Sequence, residues 1–470
     1  MPDERFEDHL RHPRGRGRAV AGAHHGAAGG AACGDLVRLS IAVAGERVSA
    51  AGFEASGCGA TIAAASAAIE LAEGVNVIDA ARIGAPQIAA ELGGLSAGKL
   101  HAADLASDAL HRALGAAVRA QGALTPAPER TLVAMSGGVD SAVAALLCRR
   151  EPAADREHDV VAVTLELWAD EHNDGERSCC SAAAVRGARR VAHELGLAHF
   201  TLDLRDEFRA GVVEPWLDEH AAGLTPNPCV RCNGHVRLDA MLDFADRLGA
   251  ATLTTGHYAR RTAGGLLRLA ADPAKDQTYM LAALSRAALA RLRFVLGDLT
   301  KPQVRALARD AGLDVAGKPD SQDLCFLAGT GRANFLARHG GMRSRPGDIV
   351  DAGGAVVGRH DGQHGFTVGQ RRGLGVFAEQ PLYVLATDAE ANTVTVGPRS
   401  RLATRTVRVR GLRLHAEPDA VRLRYRSPAL RCRLDGDEIH LHEPFDGAAP
   451  GQTAVFLAGD AIVGCATIAA

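Results

Sequence analysis

The spacing of apolar and polar positions changes three times along this 470-residue chain, and each change predicts a different kind of structure. In the first stretch, up to about residue 120, strand-like runs are followed by helical patterns rich in small residues. This order predicts a compact domain of mixed α and β structure over 1–120. The predicted elements are strands at 36–43 and 48–53 and helices at 60–72, 86–92 and 102–120.

Strands and helices begin to alternate after residue 130. The segment 121–130 (QGALTPAPER) contains prolines and no periodicity, so it is predicted to be a linker. Buried apolar strands that alternate with helices predict a doubly wound parallel sheet, here over 131–327. The predicted strands are 131–136, 159–167, 199–204 and 251–256, with helices at 140–150, 181–195 and 235–248.

The last third of the chain changes pattern again. Residues 328–403 are glycine-rich with short alternating segments, which predicts a small central domain. From 404 to 470 only strands separated by close turns are predicted, as in an antiparallel β-barrel. The predicted fold class is therefore α/β multidomain.

Composition narrows the function classes. No apolar run reaches the roughly 18 residues of a membrane span, and the charged N-terminus lacks an apolar signal core, so we expect a cytoplasmic protein without a membrane partner. Ten cysteines in a reducing compartment predict metal-binding or catalytic thiols rather than disulfides. The net charge is only −2, but residues 401–433 hold ten arginines against two acids. That segment predicts either a phosphate-binding face or a merely solvated one.

The clearest chemical motif is the hexapeptide SGGVDS at Ser136–Ser141, which follows an apolar strand and opens a helix near Asp140. Glycines allow close backbone approach, and the first N–H groups of a helix are unpaired and carry positive partial charge, so the motif predicts a phosphate site. The lysine of a Walker loop is absent. The hexapeptide resembles the signature of PP-loop ATP pyrophosphatases, which adenylate a substrate; an ordinary glycine-rich turn is the alternative. This resemblance implies ATP and Mg²⁺.

Five further motifs follow in order: TPNPCVRCN (225–233), TGHYAR (255–260), KDQTYML (275–281), SQDLCF (321–326) and FTVGQRRGLG (366–375). Together with the hexapeptide they resemble the bacterial tRNA-specific 2-thiouridylases of the MnmA/TrmU type, from about 130 to 470. The resemblance implies tRNA as partner and a central tRNA-binding domain. It places ATP at Ala134, Met135, Ser136, Gly137, Gly138, Val139, Asp140, Ser141, Leu165 and Gly256. It places tRNA at Asn227, Pro228, Cys229, Lys275, Asp276, Gln277, Arg424 and Tyr425.

The same resemblance assigns sulfur handling to Cys232 and Cys325. Many members of the better-known branch carry aspartate at the position of Cys229. Three thiolates can hold three irons of a 4Fe-4S cluster and leave the fourth iron open to sulfide, so a cluster on Cys229, Cys232 and Cys325 is the favoured hypothesis. The alternatives are a persulfide relay from Cys325 to Cys232 and a structural zinc site.

Residues 1–118 resemble the IscU-type iron–sulfur scaffold proteins through DHLRHPRGRG (8–17), ACGDLVRLSI (32–41), FEASGCGATIAAAS (53–66) and KLHAADLASDAL (99–110). The resemblance implies a zinc or iron site on Cys33, Asp35, Cys58 and His101. Ala102 stands where the third cysteine of that family is expected. The alternative is a domain that only docks, either on a cysteine desulfurase or toward the catalytic cysteines, tethered near the catalytic domain. The expected sulfur donor is a cysteine desulfurase or a sulfur relay protein.

The combined expectation is an ATP-dependent transferase that adenylates the C2 oxygen of a wobble uridine in tRNA and replaces it with sulfur. Three rivals remain open. They are a small-molecule amide synthetase, a non-catalytic iron–sulfur or zinc carrier, and a tRNA-binding protein without chemistry.

Overall fold

A computed structural model describes residues 4–29, 34–151, 159–170, 181–320, 324–327 and 329–470. The chain divides into two compact units, each taken by itself below. The first unit comprises Met1–Arg205, Ala240–His257 and Arg291–Cys325, and the second comprises Asp206–Asp239, Tyr258–Ala290 and Phe326–Ala470. Elements are numbered in chain order.

The front domain (residues 1–120) packs helices on one face of a three-stranded antiparallel sheet with strand order β1-β2-β3. Alanines every three to four residues let α2 and α5 approach the sheet closely, and they form the core together with Leu39, Ile41 and Phe53. Helix α1 and strand β1 lie outside the predicted elements. The elements are α1 Glu4–Arg11, β1 His24–Gly29, β2 Leu36–Ala44, β3 Arg47–Ser56, α2 Gly59–Ala72, α3 Val77–Ala80, α4 Ala85–Glu91 and α5 Leu100–Ala120.

The sheet domain, which completes the first unit, is a five-stranded parallel sheet of order β10-β7-β4-β5-β6. Every residue of β5 is buried, as expected for a strand covered on both faces. Strand β4 starts at Ala127, inside the predicted linker, because the Ala127 N–H donates to the Gly249 oxygen at 2.9 Å. The elements are β4 Ala127–Met135, α6 Val139–Arg150, β5 Val160–Glu166, α7 Ala182–Glu194, β6 Ala198–Asp203, α11 Leu238–Arg247, β7 Ala250–Thr254, β10 Leu292–Arg293 and α14 Lys301–Asp310.

The second unit begins with short helices and a four-stranded sheet of order β12-β11-β14-β13. Two π-helical turns, Arg209–Val213 and Asn233–Arg237, continue the helices on either side of them. The elements are α8 Arg205–Phe208, α9 Glu214–Ala221, α10 Pro228–Cys232, α12 Thr278–Leu281, α13 Arg286–Arg291, α15 Arg332–His339, β11 Gly347–Asp351, β12 Val356–His360, β13 Leu382–Asp388 and β14 Thr393–Pro398.

An antiparallel barrel completes the second unit. Pairing of β15 with both β18 and β20 closes it, and the hairpin β8–β9 adds to β20. The inward Val407 and Val409 alternate with the exposed Arg408 and Arg410, which is the period of a strand with one buried face. The elements are β8 Arg260–Arg261, β9 Leu267–Arg268, β15 Ala403–Leu414, β16 Ala420–Arg422, β17 Leu430–Asp435, β18 Glu438–Asp446, β19 Thr453–Ala458 and β20 Ala461–Ile468.

The predicted fold class is confirmed in all four parts: the front domain, the parallel sheet, the central domain and the barrel. Within the described ranges, none of the helices combines the length and the apolar character that crossing a membrane requires.

Candidate functional site

The nucleotide loop (Ser136–Ser141) joins β4 to α6. Gly137 has a φ of +70°, and a Cβ there would lie 2.6 Å from the Ala184 oxygen, so a side chain is excluded on both counts. The Ser141 hydroxyl donates to the Gly138 oxygen at 3.1 Å and accepts from the Ser136 N–H at 3.1 Å. These bonds hold the loop around the first turn of α6, whose N–H groups form the predicted anion site.

Two lysines that sequence reasoning missed contact this loop. Lys301 Nζ lies 2.7 and 2.8 Å from the two carboxylate oxygens of Asp140 and 2.8 Å from Asp320 Oδ1. Lys318 Nζ donates to the Gly137 oxygen at 2.8 Å. The composition could have drawn attention to these two residues, because arginine is the usual basic residue of this chain. It has only four lysines, Lys99, Lys275, Lys301 and Lys318.

The other predicted ATP-binding residues lie at the same edge of the parallel sheet. Ala134 and Met135 end β4, and Met135 pairs with Thr164 beside Leu165 on β5. Gly256 follows β7, and a Cβ on it would lie 2.8 Å from the Ser141 nitrogen. The carboxyl ends of parallel strands meet at one edge of a sheet, where ligands of such folds bind. The fold therefore brings the predicted ATP-binding residues together. That they contact ATP stays a prediction.

The thiol loop (225–233) carries the first two predicted sulfur cysteines in the second unit. The Asn227 side chain caps α10 by accepting from the Val230 N–H at 3.3 Å, and Pro228 occupies the first helical position. Cys229 is half-buried in this first turn, whereas Cys232 is buried one turn later. The cap therefore presents the two thiols of the CxxC at different depths on one short helix.

Tyr279 links this loop to the barrel, and sequence reasoning did not single it out. Its hydroxyl donates to the Thr453 oxygen at 2.7 Å, and its ring lies 5.7 Å from the ring of Tyr425. Burial raises the pKa of Tyr279, while a hydrogen bond with Asn227 opposes that shift. The residue thus joins Asn227, Tyr425 and β19 in one buried contact.

The predicted tRNA-binding residues differ in whether their polar groups already form hydrogen bonds within the protein. The Asp276 carboxylate accepts from the Ala270 N–H at 2.9 Å and from Arg422 at 3.2 Å, and its side chain is 7% exposed. Gln277 exchanges two hydrogen bonds with the backbone of Tyr258. Arg424 donates to the Gly447 oxygen at 2.9 Å. These three side chains build the loop and the barrel rim; with half-buried Lys275, their tRNA contact stays a prediction.

Cys325 is half-buried in a turn at the end of the first unit, while Cys229 and Cys232 belong to the second. The preceding motif residues Ser321–Asp323 lie outside the described residues. That the three thiols converge therefore stays a prediction.

The front-domain cluster consists of Asp35, Cys58 and His101, whose ligand atoms all lie within 4.8 Å of one another. His101 Nε2 is 3.3 Å and Cys58 Sγ 3.8 Å from Asp35 Oδ2, and the hydroxyl of Thr61 donates to the same oxygen at 2.8 Å. The Thr61 hydrogen bond lowers the pKa of both the Asp35 carboxyl and the Cys58 thiol. Cys33 lies outside the described residues, and Ala102 is buried.

This donor set fits a metal ion. A thiolate, an imidazole and a carboxylate are ligands of zinc and of ferrous iron, and here one of each lies in a single cluster. The other ring nitrogen of His101 lies 3.0 Å from the Gly98 oxygen, which orients the ring toward Asp35. A lowered Cys58 pKa favours the thiolate that a metal requires.

Four family descriptions match the chain in order. A NifU-like N terminal domain covers 3–121, a tRNA methyl transferase HUP domain 129–329, a tRNA methyl transferase PRC-barrel domain 333–398 and an aminomethyltransferase beta-barrel domain 413–468. The bifunctional protein NifU/MnmA of Rubrobacter xylanophilus is 44% identical over 98% of this chain and 97% of its own length. This chain belongs to the NifU/MnmA family.

Further relatives match a part of this chain. The tRNA-specific 2-thiouridylase MnmA of Salinispora tropica is 46% identical and covers 73% of this chain and 99% of its own length. A SUF-system iron-sulfur cluster assembly scaffold protein of Fervidobacterium islandicum has a TM-score of 0.21 and 20% identity, over 24% of this chain and 95% of its own. The family assignment therefore depends on the sequence matches.

Proposed function

We propose that this NifU/MnmA chain is a tRNA-specific 2-thiouridylase that activates a uridine with ATP and then replaces its C2 oxygen with sulfur. One observation carries the proposal. The backbone of the nucleotide loop and the Asp140–Lys301 pair meet at the carboxyl edge of a parallel sheet. That arrangement suits a nucleoside triphosphate and is joined in one chain to an arginine-rich barrel.

The activation step is assigned to the nucleotide loop. The C2 oxygen of the uridine attacks the α-phosphorus of ATP, the bond to the β-phosphate oxygen breaks, and pyrophosphate leaves. First-turn N–H groups of α6 would stabilise the negative charge that develops on the phosphates. The carboxylate of Asp140 lies in the same first turn and would help hold Mg²⁺, which neutralises the triphosphate.

The sulfur step is assigned to Cys229, Cys232 and Cys325. Sulfide adds to C2 of the adenylated uridine, the C2–O bond breaks, AMP leaves with that oxygen, and no net oxidation occurs. A 4Fe-4S cluster on three thiolates would supply the activated sulfide. The half-buried Cys229 in the first turn of α10 supports this assignment, because a third thiol is present where a relay needs only two.

A persulfide relay is the alternative for the same reaction. Cys325 would then carry the sulfur as a persulfide. The Cys232 thiolate would attack the Cys325 sulfur, so that a disulfide forms between the two cysteines and the outer sulfur leaves toward the uridine. An external thiol must reduce that disulfide before the next turnover. The two routes therefore differ in their need for metal and for a reductant.

Binding of tRNA is assigned to the thiol loop and the barrel rim, with Asn227, Pro228, Lys275 and Tyr425 facing the RNA. Asp276, Gln277 and Arg424 would act by holding that surface in place, since their polar groups already bond within the fold. Zinc or iron is assigned to the front-domain cluster. A cysteine desulfurase or a sulfur relay protein is the proposed source of sulfur.

The decisive experiment is anaerobic thiolation of tRNA by the full chain with ATP and inorganic sulfide, before and after cluster reconstitution. We expect 2-thiouridine and one AMP per sulfur only after reconstitution. Cys229→Ser, Cys232→Ser and Cys325→Ser should each abolish 2-thiouridine, while Cys432→Ala in the barrel core should not. Full activity of metal-free protein with a persulfide donor supports the relay. AMP formation without tRNA, using a small amine, would indicate an amide synthetase instead.

A further inference from the structure

Among the described residues, strand β6 is the last strand of the parallel sheet, and no described strand pairs with its outer row of backbone groups. In an extended strand every second residue directs its N–H and C=O to the same side. The front domain bonds to that row. The His199 N–H donates to the Ala81 oxygen at 2.9 Å, the His199 oxygen lies 2.7 Å from His111 Nδ1, and the Asp203 oxygen accepts from Arg119 at 2.9 Å.

Between these bonds α5 touches the strand directly. Gly115 lies so close that a Cβ on it would be 2.2 Å from the Thr201 oxygen. One face of α5 carries residues 108, 111, 112, 115 and 119, because positions three and four apart lie on the same side of a helix. That face follows the free edge of β6 from His199 to Asp203.

The same face carries two ion pairs to the elements beside the edge strand. Asp108 pairs with Arg189 of α7 at 2.6 Å, and both side chains are at most 4% exposed. Arg112 pairs with Glu166 at the end of β5 at 2.6 Å. In addition, α7 carries Ala184, whose oxygen lies against Gly137 of the nucleotide loop.

The opposite face of α5 is equally buried within the front domain. Gly26 of β1 is so near that a Cβ on it would lie 2.1 Å from the Ala109 oxygen. Ala106, Ala113 and Ala117 are also buried. The helix is thus packed on two sides, and it cannot leave the sheet domain unless the whole front domain leaves with it.

The chain segment that joins the front domain to the sheet domain forms hydrogen bonds with both of them. The Leu124 N–H donates to the Arg247 oxygen at 2.8 Å, and the Thr125 N–H donates to Glu46 of the front domain at 2.8 Å. Leu124 is buried. A segment held in this way does not act as a slack tether, because its ends are fixed by the two domains that it joins.

We propose that the front domain is the permanent cap of the edge strand β6 and stays docked throughout turnover, rather than being a tethered carrier that swings. Separation would return the charges of the buried ion pairs to water, which recovers their hydration, so these pairs alone do not hold the domains together. It would also open a row of strand groups to water and to other chains, which folded proteins avoid. The front-domain cluster is then held at one position relative to the nucleotide loop, and sulfur or metal must reach it and leave it by diffusion or by a docking protein.

The test is specific proteolysis of the folded full-length protein between the two domains. A specific protease site inserted after the exposed Gly122 is cleaved under native conditions, and the product is run on a sizing column at about 1 μM. We expect the two fragments to co-elute as one species, with and without ATP and tRNA. Fragments that separate as two folded species, in either condition, would overturn the proposal.

Matched variants identify the contact face. Asp108→Asn leaves Arg189 without its carboxylate and should release a measurable share of the cut fragments, whereas Asp104→Asn, on an exposed side chain of the same helix, should not. Hydrogen exchange on the uncut chain needs no variant. We expect the His199 amide to exchange about a hundredfold or more slowly than loop amides, as in a central strand. Exchange of this amide at loop rates would contradict a docked cap.

Discussion

The carboxylate of Asp140 accepts hydrogen bonds from Lys301 Nζ at 2.7 and 2.8 Å, across 161 positions of sequence. Asp140 belongs to the nucleotide loop, and Lys301 is the first residue of α14. The same ammonium group lies 2.8 Å from Asp320, so two carboxylates share one buried cation beside the phosphate site. The pair therefore sets the charge that an incoming triphosphate meets.

Replacing this cation should disable the activation step. We expect Lys301→Met to lower tRNA-dependent AMP formation about a hundredfold or more, because the Asp140 carboxylate would lose this cation beside the phosphates, whereas Asp320 keeps its ion pair with Arg305 at 3.0 Å. The measurement is release of pyrophosphate with saturating tRNA. Lys99→Met, on an exposed side chain of the front domain, is the control and should match the wild type. Near-normal rates in Lys301→Met would remove this residue from the proposed mechanism.

The front-domain cluster should bind one divalent ion per chain. We expect cobalt(II) added to metal-free protein to give a thiolate-to-metal absorption band that Cys58→Ser eliminates and His101→Ala weakens. His25→Ala, an exposed histidine bonded to Ser40, is the control. Because the Cys58 pKa is lowered, binding should persist at a lower pH than for an ordinary cysteine. A band that is unchanged in Cys58→Ser would place the ion elsewhere.

Acid should destabilise the contact between the front domain and the sheet domain. Burial lowers the pKa of His193 to about 4 and lowers that of His199 well below its ordinary value. The unfolded chain then binds more protons, so stability is complete above about pH 6.5 and is lost as the pH falls toward 4. For His193 alone the shift corresponds to on the order of 3 kcal/mol.

The buried carboxyl of Glu166 changes the pH dependence of stability in the opposite direction. Burial raises the pKa of Glu166 to about 7 despite Arg112, so its contribution is present at low pH and is lost as the pH rises through 7. Burial also lowers the pKa of His111, in the same cluster, well below its ordinary value. Three histidines outweigh one carboxyl, and we expect the unfolding temperature to fall between pH 6.5 and 4.5. His193→Gln should reduce that fall, while the exposed His25→Gln should leave it unchanged. A rising unfolding temperature over this range would contradict the histidine assignment.

Tyr425 should contribute to tRNA binding through its ring. Stacking of a base on an aromatic side chain is worth about 1–3 kcal/mol, so Tyr425→Ala should raise the KM for tRNA about tenfold. Tyr425→Phe keeps the ring and should behave as the wild type. The ring also contacts Tyr279 and the guanidinium of Arg426, so the unfolding temperature must be measured in parallel. A lower unfolding temperature with unchanged KM would assign Tyr425 to packing alone.

Features that depend on residues close together in sequence were predictable. The hexapeptide Ser136–Ser141 predicted a strand, a turn and a helix start, because glycine conformation and unpaired N–H groups are local properties. The apolar run 461–468 between turns likewise predicted a strand, and six of its eight residues are buried. Apolar spacing and turn residues thus determine the fold class of each of the four parts.

Only the tertiary structure decided which distant groups meet. Nothing local to Lys301 points to Asp140, and nothing local to Asp276 shows that its carboxylate is already bonded to Arg422. The capping of β6 by α5 was equally hidden, because a charged helix face looks solvated until its partners are known. Charges and free strand edges are satisfied by whatever the folded chain brings near them, and that is a property of the packing rather than of sequence spacing.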